Sequence, residues 1–576
     1  MPDPSSFPLT LPDYLAIAAY FILLCLVGFW AGRKRRTTSE EYFLAGRALP
    51  WYVVGGSFIA SNISTEHFIG MIGGAFVYGI CVANFEWLNV TTFSLMIWFF
   101  IPFLLVTKVF TIPEFLERRF NPFLRLLFAL VTVVSNVTAF LAAVLYGGGL
   151  ALEKLFGWNL WFAIIALGVV AGSWAIYGGL RSVAWTDLLT VIVMIAGGTM
   201  VTIFGLYMLS GDANSLVEGF KVMIERNQAN EGIWADVVSR NAQNIAHSDE
   251  YNRLALVQPL THEVIPWPTM IFGTFSLGIW YSVLNQFMIQ RVLGAKNAYH
   301  ARMGMVFAGY MKILLPVIVV MPGLILFAKY PEVLSLPWDQ VKPEADKGYV
   351  AMLQKLIPAG LRGLFLAALF GAIQSTVNSV LNSTSTVCTL DIYKRLIRKD
   401  ASERNLVKVG MGSSVVILVL AIVLAGFVGE LEGSLFVYVQ TLYAFFAAPF
   451  AAVFLLGILF RRINSQGATV AVVVGFAFAV AVKIYVERPD HVVWLEPFGM
   501  QAIFTWAVSM LTCVVGSLLT PRPSPEKVSD QVTFNWSQLN IFEDLGSRWY
   551  THVVLWWGIF CVIVFSLLLV FSGLYV

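Results

Sequence analysis

The chain has 576 residues, of which 58% are hydrophobic and 12% are charged, and its formal net charge at pH 7 is +3. Soluble domains carry about 25% charged residues, so no compact water-soluble core could bury this much apolar surface, and lipid is the expected solvent. The small net charge gives no indication of nucleic-acid binding. We therefore expect an integral membrane protein.

Fourteen stretches of mostly apolar residues follow one another along the chain. A helix of about 20 such residues crosses a bilayer core about 30 Å thick, so the predicted fold class is all-α, with about 14 transmembrane helices. The first stretch is expected to be a retained helix rather than a signal peptide, because it lacks a basic leader and a small-residue cleavage site. The predicted spans are 14–31, 52–77, 80–106, 126–150, 158–178, 186–209, 267–289, 303–328, 362–390, 406–428, 434–460, 467–486, 500–520 and 552–574.

Lysine and arginine recur in alternate loops, and short cytoplasmic loops collect these residues. With fourteen spans, all of these loops lie on one side, which we assign to the cytoplasm. The sequence therefore predicts a multi-pass protein of the cell membrane, plasma or inner, with both termini outside. The basic positions are 33–36, 118–119, Arg125, Arg181, Arg291, Lys296, Arg302, 394–395, 398–399 and 461–462.

Three longer polar segments connect the predicted spans. Loops 210–266 and 329–361 are expected outside, and segment 521–551 is expected in the cytoplasm. Apolar residues recur at helical spacing in the first loop, which favours a short helix on the outer surface; a plain polar connector is the alternative. No function is predicted for segment 521–551.

The second span contains a polar stretch from Ser57 to His67, and polar groups at membrane depth need protein or a water-filled cavity to satisfy them. The seventh span repeats this pattern as far as Asn285. Paired, polar-interrupted helices at matching positions indicate an inverted-repeat transporter. Close packing of small residues is the alternative, but it does not explain Glu66, His67 or Asn285. The predicted domains are 1–51 (first helix and basic loop), 52–209 and 267–460 (two five-helix repeats), 210–266 (outer loop) and 461–576 (three C-terminal helices).

The ninth span carries hydroxyl side chains on one helical face. Ser375, Thr376 and Ser379 are three or four residues apart, so their hydroxyl groups lie side by side. A dry, hydroxyl-lined face suits a hard cation such as Na⁺. For each residue alone, a hydrogen bond to the preceding helical turn is the simpler interpretation.

Short motifs recur in order through nearly the whole chain. They are Glu41–Gly46, Ser61–Ser64, His67–Gly70, Phe85–Trp87, Thr111–Phe115, Tyr177–Leu180, Trp185–Asp187, Asn285–Gln286, Gln290–Arg291, Leu381–Ser383, Asp391–Tyr393 and Ala452–Leu456. Together they resemble the solute:sodium symporter family, and within it the sodium/sugar cotransporters. This resemblance implies a LeuT-like core of two inverted five-helix repeats, with one helix before the core and three after it.

The resemblance also implies Na⁺ as the coupling ion. Matched by position, the sodium ligands are the backbone carbonyl groups of Ala60, Ile63 and Ala372 and the hydroxyl groups of Ser375 and Thr376. Carbonyl groups freed at a helix break can replace an ion's hydration shell.

A second sodium site is implied at Asp187 and Ser379, which match the additional cation site of some family members. The alternative for Asp187 is a cap on a helix that begins there.

A solute site is implied beside the sodium site. The matching substrate residues are His67, Glu86, Asn89, Lys312 and Gln440, with Tyr281 as an aromatic inner gate; Met71, Phe85 and Phe436 match the outer gate. The polar residues suit a sugar, whose hydroxyl groups both donate and accept hydrogen bonds.

Structural roles are open for some of these residues: Glu86 with Lys312 as an ion pair, His67 as a packing residue and Gln440 as a link between helices. Two departures from the family pattern, Ser282 and Gly278, leave the identity of the solute open.

The predicted function is sodium-driven symport that imports a sugar or polyol by alternating access. An amino acid, carboxylate or vitamin on the same fold is the first alternative, and a carboxylate would require Lys312 to be free of Glu86. A membrane solute sensor is the second alternative, although no signalling domain is evident. An enzyme is not expected. We expect no organic cofactor, no nucleic acid and no obligatory protein partner, only a small-molecule solute, Na⁺ and the lipid bilayer.

Overall fold

The computed structural model describes residues 9–33, 38–248, 251–342, 344–345, 357–358, 360–428, 435–535 and 541–573. Within these ranges the regular secondary structure is helical, apart from one isolated β-bridge between Leu49 and Ala295. Eleven of the described helices are long and apolar enough to cross a membrane. The predicted all-α membrane fold class is therefore confirmed.

The first half of the chain forms a series of helices, the last two of which lie in loop 210–266. They are α1 (Leu11–Gly32), α2 (Ser39–Phe43), α3 (Trp51–Asn62), α4 (Ile72–Tyr78), α5 (Asn84–Trp87), α6 (Asn89–Leu95), α7 (Ile101–Thr107), α8 (Ile112–Arg119), α9 (Pro122–Ser135), α10 (Ala143–Phe156), α11 (Leu160–Ser210), α12 (Leu216–Gln228) and α13 (Gly232–Ala246).

Helices of the second half follow the outer loop. They are α14 (Thr274–Ile279), α15 (Gln286–Leu293), α16 (Ala298–Val319), α17 (Met321–Lys329), α18 (Arg362–Val387), α19 (Glu403–Val428), α20 (Leu435–Leu459), α21 (Ser465–Val486), α22 (Phe498–Leu518) and α23 (Val553–Val570). π-helical segments adjoin several helices, at Glu66–Met71, Met96–Phe100, Asn136–Ala142, Thr269–Gly273, Trp280–Leu284 and Cys388–Ile397.

The second and seventh spans are both interrupted. Helix α3 ends at Asn62, and the backbone of Ile63 is extended, with φ −77° and ψ 119°. In the seventh span the backbone of Asn285 is extended in the same way, with φ −65° and ψ 118°. Both interruptions lie where the polar residues predicted them, and each frees backbone groups that a regular helix would pair internally.

A single helix, α11, covers two predicted spans, 158–178 and 186–209. Its backbone bends at Gly179, where φ is +53°. A Cβ atom there would lie 2.6 Å from the carbonyl oxygen of Tyr42, so the bend needs glycine both for its positive φ and for this close approach. Because the crossings are interrupted or merged in this way, the count of fourteen stays a prediction, as do the exact domain limits.

The first helix, α1, packs against the helix that carries the hydroxyl face. The Asp13 side chain accepts hydrogen bonds from the backbone N–H groups of Gly363 (2.8 Å) and Gly360 (3.1 Å), and so caps the start of α18. Farther along α1, the hydroxyl group of Tyr20 lies 3.1 Å from that of Thr190 on α11. Helix α1 therefore fixes α18 against α11.

Loop 210–266 forms two helices, α12 and α13, where the helical spacing predicted one, and a buried arginine anchors this loop. Arg253 is 1% exposed, and its guanidinium group donates to the carbonyl oxygens of Val77 and Phe76, each at 2.7 Å, at the end of α4. The same group lies 3.7 Å from the centre of the Phe327 ring. The loop is thus attached to the C-terminal end of the interrupted second span.

Candidate functional site

One cavity in the described structure adjoins the interruption of the second span. All six predicted substrate residues line it, among them the inner-gate residue Tyr281, together with two of the three predicted outer-gate residues, Met71 and Phe85. The side chain of the third, Phe436, lies outside the described part of the chain. The lining residues are Asn62, Glu66, His67, Met71, Phe85, Glu86, Asn89, Thr274, Leu277, Gly278, Trp280, Tyr281, Lys312, Gln440 and Tyr443.

A buried ion pair crosses the cavity wall. The Lys312 ammonium group on α16 lies 2.6 Å from a carboxylate oxygen of Glu86 on α5. The other carboxylate oxygen of Glu86 lies 3.4 Å from Nε2 of His67. All three side chains are at most 6% exposed, so the positive charge of Lys312 is held by Glu86 rather than left free.

Two further pairs of polar side chains join the interrupted second span to its neighbours. The Gln440 amide on α20 donates to the Glu66 carboxylate at 2.9 Å. The Asn62 amide donates to the hydroxyl group of Tyr281 at 2.6 Å. The amide of Asn89, in contrast, turns back and donates to the carbonyl oxygen of Phe85 at 2.5 Å.

Aromatic rings form the wall of the cavity around Tyr281. The ring of Tyr443 lies 5.9 Å from that of Tyr281 and stacks on Phe140 at 4.4 Å. Trp280 lies 6.0 Å from Tyr443. Such rings present flat apolar faces beside the polar residues of the cavity.

Two of the predicted sodium ligands, Ile63 and Thr376, meet at the same interruption. The hydroxyl group of Thr376 lies 3.2 Å from the carbonyl oxygen of Ile63. The hydroxyl group of Ser375 donates instead to the Asp187 carboxylate at 2.7 Å. Ala60 and Ala372 are fully buried. The hydroxyl face of α18 is therefore directed at the break in the second span.

Asp187 lies well inside α11, about two turns beyond the bend at Gly179, so the interpretation as a helix cap is wrong. Its carboxylate accepts from the hydroxyl groups of Ser57 (2.6 Å) and Ser375 (2.7 Å). Ser379 lies beside this group, with its hydroxyl oxygen 2.7 Å from that of Ser61. The two residues of the second predicted cation site are therefore joined through serine hydroxyl groups.

A buried arginine occupies this same region. Arg291, on α15, is 0% exposed, and its guanidinium group lies 3.8 Å from the Asp187 carboxylate. It donates to the hydroxyl group of Ser57 at 3.1 Å and to that of Ser379. The prediction of Arg291 as a cytoplasmic loop charge is wrong, because the residue lies within a helix and balances a buried carboxylate.

Sequence reasoning did not assign Glu66, Asn62, Thr274, Trp280 or Tyr443 to the cavity. Glu66 and Asn62 lie in the polar stretch of the second span, next to residues that the sequence analysis did assign to the solute and sodium sites. Tyr443 follows Gln440 by three residues on a helix, a spacing that places two side chains on one face. That spacing was the available signal for Tyr443.

Comparisons with known proteins agree with this geometry. The family model described as "Sodium:solute symporter family" matches residues 42–475. The sodium/glucose cotransporter of Vibrio parahaemolyticus is 33% identical over 540 residues, covering 92% of this chain and 95% of the relative. The sodium/myo-inositol cotransporter of Homo sapiens is 32% identical over 553 residues, covering 92% and 76%.

A solved structure shows the same fold. It is that of a Na⁺-coupled sialic acid symporter in a substrate-bound, outward-open state, which superposes with a TM-score of 0.73 at 21% identity and covers 89% of this chain and 99% of its own. The predicted LeuT-like fold is therefore confirmed. From the family match and the near full-length relatives, this chain belongs to the sodium:solute symporter family.

Proposed function

We propose that this chain imports a sugar or polyol by Na⁺-driven symport. One observation carries the proposal: the break at Ile63 lies next to the Thr376 hydroxyl group and, within one turn, at His67, next to a polar cavity. Relatives named as glucose and myo-inositol cotransporters support a cyclic, hydroxyl-rich solute.

The coupling ion binds where backbone carbonyl groups are freed by the helix break. Its ligands are the carbonyl oxygens of Ala60, Ile63 and Ala372 and the hydroxyl oxygens of Ser375 and Thr376. Ser375 can serve as a ligand while its hydroxyl group donates to the Asp187 carboxylate, because a hydroxyl group offers lone pairs to a cation and a proton to an acceptor. The carboxylate then strengthens Ser375 as a ligand.

A second Na⁺ at Asp187 and Ser379 stays a prediction. The Arg291 guanidinium group already donates to Ser379 and faces Asp187. A second ion therefore requires Arg291 to withdraw from these residues during the transport cycle.

The solute binds in the cavity lined by His67, Glu86, Asn89, Lys312 and Gln440, against the ring of Tyr281. Glu86 accepts hydroxyl protons and Lys312 donates, and omission of one hydroxyl group leaves a buried partner unpaired, which gives the site its specificity. A carboxylate substrate is disfavoured, because Lys312 is engaged by Glu86 at 2.6 Å. Among the described residues no other lysine or arginine lines the cavity.

Transport proceeds by alternating access. Na⁺ binds from outside and stabilises the outward-open arrangement; the solute follows, the outer gate of Met71, Phe85 and Phe436 closes, and both leave inward past Tyr281. One charge crossing 100 mV releases about 2.3 kcal/mol, and a tenfold Na⁺ ratio adds about 1.4 kcal/mol. At one-to-one coupling this supports a solute gradient on the order of several hundredfold.

The same proposal places the protein in the cell membrane, plasma or inner, with both termini outside and the Arg118 and Arg395 loops in the cytoplasm. Its partners are the solute, Na⁺ and lipid, with no organic cofactor and no catalytic step. A role as a solute sensor or as a carrier of amino acids or vitamins remains the alternative to test.

The test is uptake by purified protein in proteoliposomes under an imposed Na⁺ gradient. Labelled glucose, myo-inositol, an amino acid and a carboxylate are compared, with K⁺ in place of Na⁺ as the control. We expect Na⁺-dependent accumulation of a neutral sugar or polyol. Accumulation of only the amino acid or the carboxylate, or of none of them, would overturn the proposal.

A further inference from the structure

Glu66 is a second carboxylate in the cavity and is not among the residues assigned to solute binding. It begins the π-helical segment Glu66–Met71, directly after the break in the second span. The residue is 7% exposed, and its side chain lines the cavity. Glu66 is therefore shielded from bulk water but can contact a molecule bound in the cavity.

The partner of Glu66 is a neutral amide. The Gln440 amide on α20 donates to one carboxylate oxygen at 2.9 Å. The cavity's lysine, Lys312, is bound to the other carboxylate, Glu86, at 2.6 Å, and His67 faces Glu86 as well. Among the described lining residues, two carboxylates thus face one ammonium group, and Glu66 is the carboxylate without a direct ionic partner.

A buried carboxylate with one neutral partner retains capacity to accept hydrogen bonds. A carboxylate has about four acceptor sites, and hydrogen bonds to it are stronger than those between neutral groups. Hydroxyl groups of a ligand can supply the missing donors, whereas an anionic group cannot and is repelled.

Resting on the proposed function, we propose that Glu66 is a solute-binding residue that selects neutral, hydroxyl-rich rings and rejects anionic sugars. With Gln440 it forms one unit: the amide orients the carboxylate, and the free acceptor sites of Glu66 receive hydroxyl protons of the ring. Glu86 and Lys312 form a second, charge-balanced unit on the other wall. In its ionised form, Glu66 adds a negative charge to that of Glu86 and thereby opposes a carboxylate on the solute.

The matched probes are glucose and glucuronate, which differ by one carboxylate on the same ring. In proteoliposomes under an imposed Na⁺ gradient, kcat/KM is measured for both, and for myo-inositol, in the wild-type chain and in Glu66→Gln. The substitution keeps the shape and the contact with Gln440 but removes the charge. We expect weaker uptake of the neutral solutes by about 10- to 100-fold, the range for losing a hydrogen bond to a charged group. The preference for glucose over glucuronate should fall at least about tenfold.

The matched control is Glu218→Gln, which makes the same change on the exposed side of α12, outside the cavity. It should leave unchanged both the kcat/KM for the neutral solutes and the preference for glucose over glucuronate. A second variant, Gln440→Lys, places an ammonium group beside Glu66 and should also weaken the rejection of glucuronate although Glu66 remains. Gln440→Lys tests the role of Glu66 if Glu66→Gln does not yield folded protein.

The two proposals fail in different ways. If Glu66→Gln keeps the wild-type preference for glucose over glucuronate, the role of Glu66 is overturned, while Na⁺-driven uptake by the wild-type chain is unaffected. Where Glu66→Gln does not fold, an unchanged preference in Gln440→Lys has the same meaning. Absence of Na⁺-driven uptake of glucose and of myo-inositol by the wild-type chain would instead overturn the proposed function.

Discussion

The hydroxyl oxygen of Thr376 lies 3.2 Å from the carbonyl oxygen of Ile63, across the space between α18 and the broken second span. Ile63 has extended backbone dihedrals, and the cavity begins within one turn of it, at Glu66 and His67. An ion held between these two oxygens would touch both the hydroxyl face and the helix break. Ion binding can thereby change the shape of the solute site.

Removing the hydroxyl groups of Ser375 and Thr376 should uncouple solute uptake from Na⁺. In Ser375→Ala with Thr376→Ala, we expect Na⁺-dependent uptake to be abolished while the protein still reaches the membrane, because two of the five proposed ligands are lost. Uptake at varied Na⁺ concentration measures this. The control is Ser383→Ala on the same helix, whose hydroxyl group donates only to the carbonyl oxygen of Val380. Unchanged Na⁺ dependence in the double variant would refute the ion assignment.

The Glu86–Lys312 pair should contribute to the stability of the folded protein and, separately, to solute binding. Lys312→Met leaves Glu86 as an uncompensated buried charge, so we expect a loss of about 3 kcal/mol in unfolding free energy and a lower Tm. Glu86→Gln combined with Lys312→Met removes both charges and should recover most of that Tm. Solute uptake should stay absent in both variants.

These outcomes separate binding from a purely structural role of the pair. If the double variant recovered uptake together with stability, Glu86 and Lys312 would be a structural ion pair only. Thermal melting and uptake, measured on the same preparations, make the comparison.

The Arg291 guanidinium group should compete with Na⁺ for Asp187. In Arg291→Gln the buried carboxylate loses its cation, and we expect the protein to be less stable in Na⁺-free buffer but stabilised by Na⁺ more strongly than the wild-type chain. The measurement is Tm with 150 mM Na⁺ against 150 mM choline. A Na⁺-induced shift no larger than that of the wild-type chain would argue that Asp187 cannot hold a second ion.

Glu117, on α8, should stabilise the fold in a pH-dependent way. Hydrogen bonds from Arg395, and then from Arg125, outweigh partial burial and lower the pKa of Glu117 to about 2. Because the folded-state pKa lies below the unfolded one, this stabilisation is complete above the usual carboxyl pKa and is lost as pH falls from about 4.5 toward 2. The Tm deficit of Glu117→Gln should therefore be largest at pH 7 and shrink at pH 3. A deficit that does not depend on pH would contradict the assignment, and Glu218→Gln, on the outer surface, is the control.

The sequence was sufficient to locate the two helix breaks, because polar residues such as Glu66 and Asn285 cannot face lipid. The resemblance to the symporter family was also sufficient to predict six residues that the structure brings together around one cavity. It could not show that Lys312 is engaged by Glu86, because that depends on how two helices more than 200 residues apart pack.

Arg291 shows where sequence reasoning failed, and Arg253 is a buried arginine about which the sequence analysis made no prediction. Counting basic residues by loop placed Arg291 in the cytoplasm, but its side chain is buried beside Asp187. Arg253, in the outer loop, is buried at the end of α4. Both arginines find carboxylate or carbonyl partners that only the tertiary structure supplies, and composition carries no signal for such pairs.

The most direct measurement is the thermodynamic linkage between ion and solute on the purified chain. The dissociation constant of glucose or myo-inositol, whichever the vesicles accumulate faster, is measured with and without Na⁺, and that of Na⁺ with and without the solute. A shared helix break predicts that each ligand tightens the other by the same factor, on the order of tenfold or more. Affinities that are independent of one another would contradict a sodium site and a solute site built on the break at Ile63.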